Sequence, residues 1–351
     1  MNFKKKHIIS ILAVLGISIL VYKQLLQPPE IINSGYITFD KEFTEHTDEV
    51  WQAVFGPKGN LVASGGLDKT VKVWSRNTGK VIYNLKHPEG IPSLSFSPDG
   101  SQICTGSYDG KVRIWDINTG ELLKTLDGNT GTLWTVTYNP SGDLIAGAGT
   151  DKVIRIWDVN SGMLIKNFEG HERDIWSLSF SPDGTLLASS GSDNSIRIYD
   201  VATGKNIKTI KEHTQAVISV TFSPDGKLLA SGGDDKTVNI WDTQNWALKR
   251  TLKGENECLY SVAFSSDNSP ILTAGTDKKA LGEILQYRLG YKGPIRNVSA
   301  RLWDVNSGEL LHTITEHQND IWEVSFSHNG KWIATASADH TVKIWKYSDL
   351  K

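Results

Sequence analysis

Apolar and polar positions alternate in short bursts along most of the chain, and the bursts come in groups of four. In one group Trp176, Leu178 and Phe180 alternate with serines, the mark of a strand with one buried face. Pro182-Asp183-Gly184 predicts a turn, 186–189 a second strand, Ser192-Asp193-Asn194 a second turn and 196–199 a third strand. Thr203-Gly204 then turns the chain into a fourth strand, 206–210. The third strand closes on an aromatic, and such closers stand at Trp74, Trp115, Trp157, Tyr199, Trp241, Trp303 and Trp345, at intervals of 41, 42, 42, 42, 62 and 42 residues. A fixed period of this length predicts units that hide their apolar faces against their neighbours. Four short antiparallel strands per unit, repeated seven times, predict an all-β seven-bladed propeller over residues 36–351.

The seventh copy stops just after Trp345 and lacks its fourth strand, whereas residues 36–45 precede the first copy and read as an orphan strand. Phe43 stands three positions before His46, as Phe168 and Ile210 stand before His171 and His213. The N-terminal strand is therefore expected to complete the last blade and close the ring, leaving only short protected edges.

Polar residues keep register with the closers. The sets are His46, Ser64, Asp68 and Trp74; His87, Thr105, Asp109 and Trp115; and His171, Ser189, Asp193 and Tyr199. His213, Ser231, Asp235 and Trp241 form another, and His317, Thr335, Asp339 and Trp345 the last, with 22 residues from His to Asp throughout. On these motifs the chain resembles the WD40-repeat family over about nine-tenths of its length. The resemblance implies a buried chain of hydrogen bonds from indole to hydroxyl to imidazole to carboxylate, because an unpartnered buried polar group costs about 1–3 kcal/mol. The third copy has Asn129 and Gly147 in place of His and Ser, and the sixth has Glu255 for His but keeps Thr273, Asp277 and Trp303. These blades, and the fourth with its Tyr199, are expected to be held more by packing. An Asp–His–Ser set also resembles a hydrolase triad, but a catalytic triad occurs once and beside an oxyanion hole. Recurrence in equivalent strand positions favours the structural role, so no catalytic residue, metal ligand or cofactor is expected.

Ahead of the repeats lie Lys4-Lys5-Lys6, an apolar run from Ile8 to Tyr22, then Lys23-Gln24-Leu25-Leu26. Lysines before an apolar run of this length predict an export signal. No small-x-small site follows, and with Lys23 snorkelling the segment 8–26 is just long enough to span a bilayer. The expectation is an uncleaved signal anchor with residues 1–35 comprising a cytoplasmic start, the helix and a short linker, as in an exported, membrane-anchored bacterial member of the family. The excess of lysines before the helix puts the propeller outside the cytoplasm. Cleavage and secretion, or a peripheral helix, are the alternatives.

Net charge is −2, so no basic field exists for nucleic acid. The two cysteines, Cys104 and Cys258, fall in well-separated blades and predict neither a disulfide nor a metal site. No oligomerisation signal stands out.

In propellers of the resembled family, partners most often dock on the face carrying the loops into the innermost strands, as in the propeller subunit of heterotrimeric G proteins. Carried to this chain, the resemblance marks Trp51, Trp134, Trp176, Tyr260 and Trp322 five residues after the repeat's His, and Glu49, Asp174 and Asp320 three residues after it. Leu67 and Tyr108, just before the repeat's Asp, join them. Large aromatics with acids beside them are what a binding hot spot contains. The competing reading is that Trp176, which shares strand parity with Leu178 and Phe180, caps the core. The sixth repeat also carries an insertion at about 279–299, with helical spacing at Leu281, Ile284, Leu285, Arg288 and Leu289 and basic residues Arg288, Lys292 and Arg296. It rises from the same face and is either part of the partner site or a tolerated loop. A protein-interaction scaffold is the leading functional expectation. A propeller that takes a small ligand, glycan or peptide in its channel, or an exported hydrolase using Asp174, Asp320 and Glu49, are the rivals.

Overall fold

The structure, a computed structural model, describes residues 35–253, 258–276 and 299–348. The signal-anchor segment, Glu255, Asp277, and the insertion with Arg288, Lys292 and Arg296 lie outside the described residues. Among those described, the regular elements are 28 strands in seven four-stranded antiparallel sheets, with no helix long and apolar enough to cross a membrane. In six of the sheets the strands pair in chain order. The innermost strands are Val50–Phe55, Ser93–Phe96, Leu133–Tyr138, Ile175–Phe180, Val217–Phe222, Leu259–Phe264 and Ile321–Phe326.

The ring closes as expected. The strand Ile37–Phe43 pairs antiparallel with Val342–Tyr347, which continues through Trp332–Ser337 to Ile321–Phe326, so both chain ends share one sheet. Three reversals of direction mean that Ile37–Phe43 starts on the face opposite the loop that leads into Ile321. Lys343 and Glu42 add an ion pair across this seam.

Apolar cores lie between blades rather than within them. Ala334, Ala336, Val342 and Ile344 of the seventh blade pack with Phe43 against Val50, Phe55, Val62 and Trp74 of the first. Ala146, Ile154, Ile156 and Phe168 meet Ile175, Leu178, Phe180 and Tyr199 in the same way two blades on. At the inner rim, side chains tie each blade to the next. Ser93, Ser177, Ser219 and Ser261 accept the backbone N–H of Val136, Val220, Val262 and Val324 at 3.0–3.3 Å. Gln52 accepts the Leu94 N–H at 2.5 Å.

The polar chains are complete in the first, fifth and seventh blades. The Trp74 indole donates to Ser64 Oγ at 2.7 Å, Ser64 to His46 Nε2 at 2.7 Å, and His46 Nδ1 to Asp68 at 2.8 Å. Trp241, Ser231, His213 and Asp235 repeat this at 2.9, 2.7 and 2.9 Å, and Trp345, Thr335, His317 and Asp339 at 3.1, 2.6 and 2.9 Å. Burial alone would raise the Asp68 and Asp235 carboxyls, but His46 and His213 together with hydrogen bonds from Thr70 and Thr47, and from Thr237 and Thr214, outweigh it and hold both near 2. In the sixth blade the Trp303 indole donates to Thr273 at 3.0 Å.

Three blades depart from expectation. In the second, Arg113 takes the Asp109 carboxylate at 2.6 Å, and His87 Nδ1 donates to the Leu85 carbonyl at 3.1 Å instead. The buried His87 imidazole is consequently pushed down to about 4, first by desolvation. In the fourth, Tyr199 reaches past the serine and donates to the Glu169 carbonyl at 3.2 Å. In the third, a different polar set replaces the expected packing-only blade: Arg155 donates to Asp151 at 2.6 Å and to Asn129 at 2.7 Å. Gly147 explains why the hydroxyl is missing there. A Cβ at Gly147 would stand 3.0 Å from Trp157 Cζ3, because the indole has moved in to donate to the Asp127 carbonyl at 2.9 Å.

Candidate functional site

The five aromatics form one cluster at the mouth of the central channel. Ring centroids run Tyr260–Trp322 at 4.4 Å, Trp322–Trp51 at 5.0 Å, Trp51–Trp134 at 5.9 Å and Trp134–Trp176 at 4.8 Å. The three central indoles are near-parallel, with interplanar angles of 14° and 13°. The arc thus spans blades six, seven, one, three and four, and it steps over blade two, where Pro92 occupies the equivalent position. Tyr108 fills that step edge-on, 6.1 Å from Trp51 and 5.4 Å from Trp134. Gly90 makes room for it: a Cβ there would come within 3.1 Å of Leu67 and 3.3 Å of Tyr108. Blade five contributes only Ile218.

A backbone irregularity aims these side chains. In six blades the register between the first and second strands slips at this position, as between Val50 and Gln52, Ile175 and Ser177, or Ile321 and Glu323. The aromatic is the extra residue of a β-bulge, which leaves the ladder and turns towards the channel. Strand parity therefore does not carry Trp176 into the core with Leu178 and Phe180. Ile175, Leu178 and Phe180 are the buried positions, and none of the five aromatics belongs to an inter-blade core cluster.

The acids are distributed unequally. Glu49 accepts the Trp322 indole N–H at 3.2 Å, joining blades one and seven. Asp174 is half-buried, whereas Asp320 is 7% exposed and so is not displayed on the rim. Burial raises the Tyr108 hydroxyl to about 12 with help from Glu49; it also raises that of Tyr260, with Cys258, Asp320 and Asp234 adding to the effect. The mouth is thus a region of negative potential. The Trp176 indole donates to Ser192 at 2.6 Å, but the indole N–H groups of Trp51 and Trp134 are shielded from solvent without an acceptor. Such donors carry a desolvation cost that a native structure seldom leaves unmet.

Below the mouth a cavity of about 950 Å³ runs down the channel to Pro57, Pro98, Pro140 and His328. One residue of its wall escaped the reading of the sequence. Six residues after the repeat's His stand Gln52, Ser93, Thr135, Ser177, Ser219, Ser261 and Glu323, all but the buried Ser261 lining the cavity. Aligning the seven repeats at that position would have exposed the one charge among them. Among the described residues no cluster of His, Cys, Asp and Glu could hold a metal ion, and Cys104 and Cys258 form no disulfide.

Comparison with known proteins adds the following. The family description "WD domain, G-beta repeat" matches residues 38–75, 79–116, 120–158, 162–200, 204–242, 246–281 and 308–346, more than half of the chain. Similar curated proteins include eukaryotic translation initiation factor 3 subunit I of Candida glabrata, 38% identical over 50 residues, covering 14% of either chain. The target of rapamycin complex subunit wat1 of Schizosaccharomyces pombe is 41% identical over 51 residues, 14% of this chain and 16% of its own. The WD repeat-containing protein WDS homolog of Arabidopsis thaliana is 46% identical over 41 residues, 12% of this chain and 8% of its own. The matches therefore span about one repeat of each relative, and they bear on the blade rather than on the export or bacterial origin read from the leader.

Proposed function

Because this chain belongs to the WD40-repeat family, we propose that it is a protein-interaction scaffold whose docking surface is the aromatic arc at the channel mouth. The observation that carries this reading is the arc itself: five large half-buried rings that serve no inter-blade core, with Tyr108 and Leu67 beside them. Rings of this kind at the centre of an interface supply most of its binding energy. Two of the relatives are named as subunits of larger assemblies, which accords with a scaffold. Trp322→Ala is expected to weaken partner capture by at least about 2 kcal/mol while leaving thermal melting nearly unchanged. A lowered melting point with capture intact would mean that the ring serves the fold alone.

The scaffold is tethered in this reading. Residues 8–26 anchor the chain in a membrane with the N-terminus cytoplasmic and the propeller exported. The strand at Ile37 begins on the face opposite the aromatic arc, and the nine residues 27–35 reach at most about 30 Å. The arc, and the basic insertion with Arg288, Lys292 and Arg296 that belongs to the same partner site, would then point away from the bilayer towards a soluble partner. The full-length chain is expected to stay in the membrane fraction after an alkaline wash, with a reporter fused after Lys351 exported. Recovery of a soluble form starting beyond residue 22 would instead establish cleavage and secretion.

A further inference from the structure

Glu323 is the single charged member of the polar belt halfway down the channel, and its carboxyl is enclosed by both neighbouring blades. Gln52 from blade one and Ser261 from blade six are its polar neighbours and favour its ionised form. It lines the cavity of about 950 Å³ and also a second cavity of about 300 Å³ next to it. The wall of the larger cavity includes a second carboxyl, Asp234, and no lysine or arginine. Asp234 stands in blade five, where Ile218 replaces the large rings, so the one gap in the aromatic arc is flanked by an acid. An anion would meet two carboxyls and no compensating charge. A cation would meet a carboxyl at the entrance, ring faces along the rim and a second carboxyl at depth, the sequence of contacts that desolvates a positive group with least loss.

We propose that the central channel is a binding site for a small primary-ammonium compound, its charged group held by Glu323 and its short apolar tail lying against the aromatic tier. A primary ammonium suits the belt better than a quaternary one, since it has three N–H donors for the Glu323 carboxylate and the surrounding hydroxyls. Entry is over Ile218, past Asp234. The site shares the aromatic tier with the docking surface but sets its charged group inside the ring, at Glu323, so Glu323→Gln tests it without touching the docking rings. Burial raises the Glu323 carboxyl to about 7, with Ser261 and Gln52 pulling it back. Binding of a cation favours the ionised form, so affinity rises with pH through this region. The other titratable groups facing the channel are Tyr260 on the blade-six strand, Tyr138 on the blade-three strand, Asp234 and Cys258 near the mouth and His328 at the far end; the adjacent strand Trp332–Ser337 has none.

The test titrates the full-length chain in detergent with n-butylammonium and with 1-butanol, its neutral isostere, followed by tryptophan fluorescence and calorimetry. Saturable one-to-one binding of butylammonium at pH 8 is expected, with butanol at least tenfold weaker. Glu323→Gln keeps a polar group beside Ser261 and Gln52, so it should fold, lose at least tenfold in amine affinity and leave butanol unchanged. The unaltered protein should bind the amine several-fold more weakly at pH 5.5 than at pH 8, and Glu323→Gln should lose that dependence, which separates Glu323 from His328. Equal affinity for amine and alcohol, amine binding indifferent to both pH and Glu323→Gln, or no binding of butylammonium at millimolar concentration would each overturn the assignment.

Discussion

Phe43→Ala is expected to lower the stability of the whole propeller by about 3–5 kcal/mol, the cost of emptying a large aromatic site in a packed core. Phe43 is 1% exposed, stacks on Trp74 at 4.7 Å and sits in the core shared by the seventh and first blades. A cavity there loosens the joint through which the two chain ends hold the ring. A linear array of repeats could fray from one end, but a ring sealed by its own first strand has no end to fray from. The loss should therefore appear as one cooperative transition in denaturant, shifted to lower concentration. Phe39 supplies the comparison: it lies on the same strand, is 53% exposed and touches Trp345 edge-on. Phe39→Ala should cost less than about 1 kcal/mol, as surface changes do. Equal losses in the two variants would mean that the strand does not latch the ring through Phe43.

The second large effect reverses what the repeat pattern implies. From the missing His and Ser, the third blade reads as indifferent to its Asp151, so Asp151→Ala would cost less there than Asp235→Ala in the complete fifth blade. The structure gives Asp151 a buried ion pair with Arg155, side chains 10% and 9% exposed, and an N–H from Thr130. Removing one partner of such a pair leaves a charge without compensation and costs about 3–5 kcal/mol. Asp235→Ala leaves neutral groups short of a partner and costs about 1–3 kcal/mol. Asp151→Ala is thus expected to be the more damaging, and Asp151→Ala with Arg155→Met should recover most of the loss. Calorimetric melting of the three variants checks the order; a milder Asp151→Ala would show that Asn129 alone satisfies Arg155.

What the sequence conveyed well was local. Alternation, Pro-Asp-Gly turns and the 42-residue period need no knowledge of distant contacts, and even the closing strand was legible from the spacing of Phe43 to His46. The choice of partner for each carboxylate was less so. Arg113, Arg155, Arg197 and Arg301 all stand two residues before a closing aromatic, yet in blade four His171 keeps the Asp193 carboxylate at 3.0 Å despite Arg197. Whether the guanidinium or the imidazole wins the Asp depends on reach and burial, which spacing does not encode. The sequence left the aim of Trp176 open between rim and core because Trp176-Ser177-Leu178 alternates as a regular strand would. The signal lay one residue earlier: Ile175, Leu178 and Phe180 are the buried positions, and the step of three between the first two marks the bulge. Glu323 escaped because a polar residue is what alternation requires there.

The bulge separates two kinds of information by a single peptide bond. Just before it, the seven blades carry Val50, Ile91, Leu133, Ile175, Val217, Leu259 and Ile321, all aliphatic and all 0% exposed. At the bulge six of them carry tryptophan, isoleucine or tyrosine, and blade two, with Pro92 there, has no bulge. Because the bulge residue sits outside the ladder, changing it perturbs neither strand pairing nor the inter-blade cores. Six blades thus each offer one position where mutation is decoupled from foldability, and six such positions converge on one opening. Evolvability is in this sense built into the backbone geometry: such a ring can acquire a new ligand by drift at its mouth without passing through an unstable intermediate.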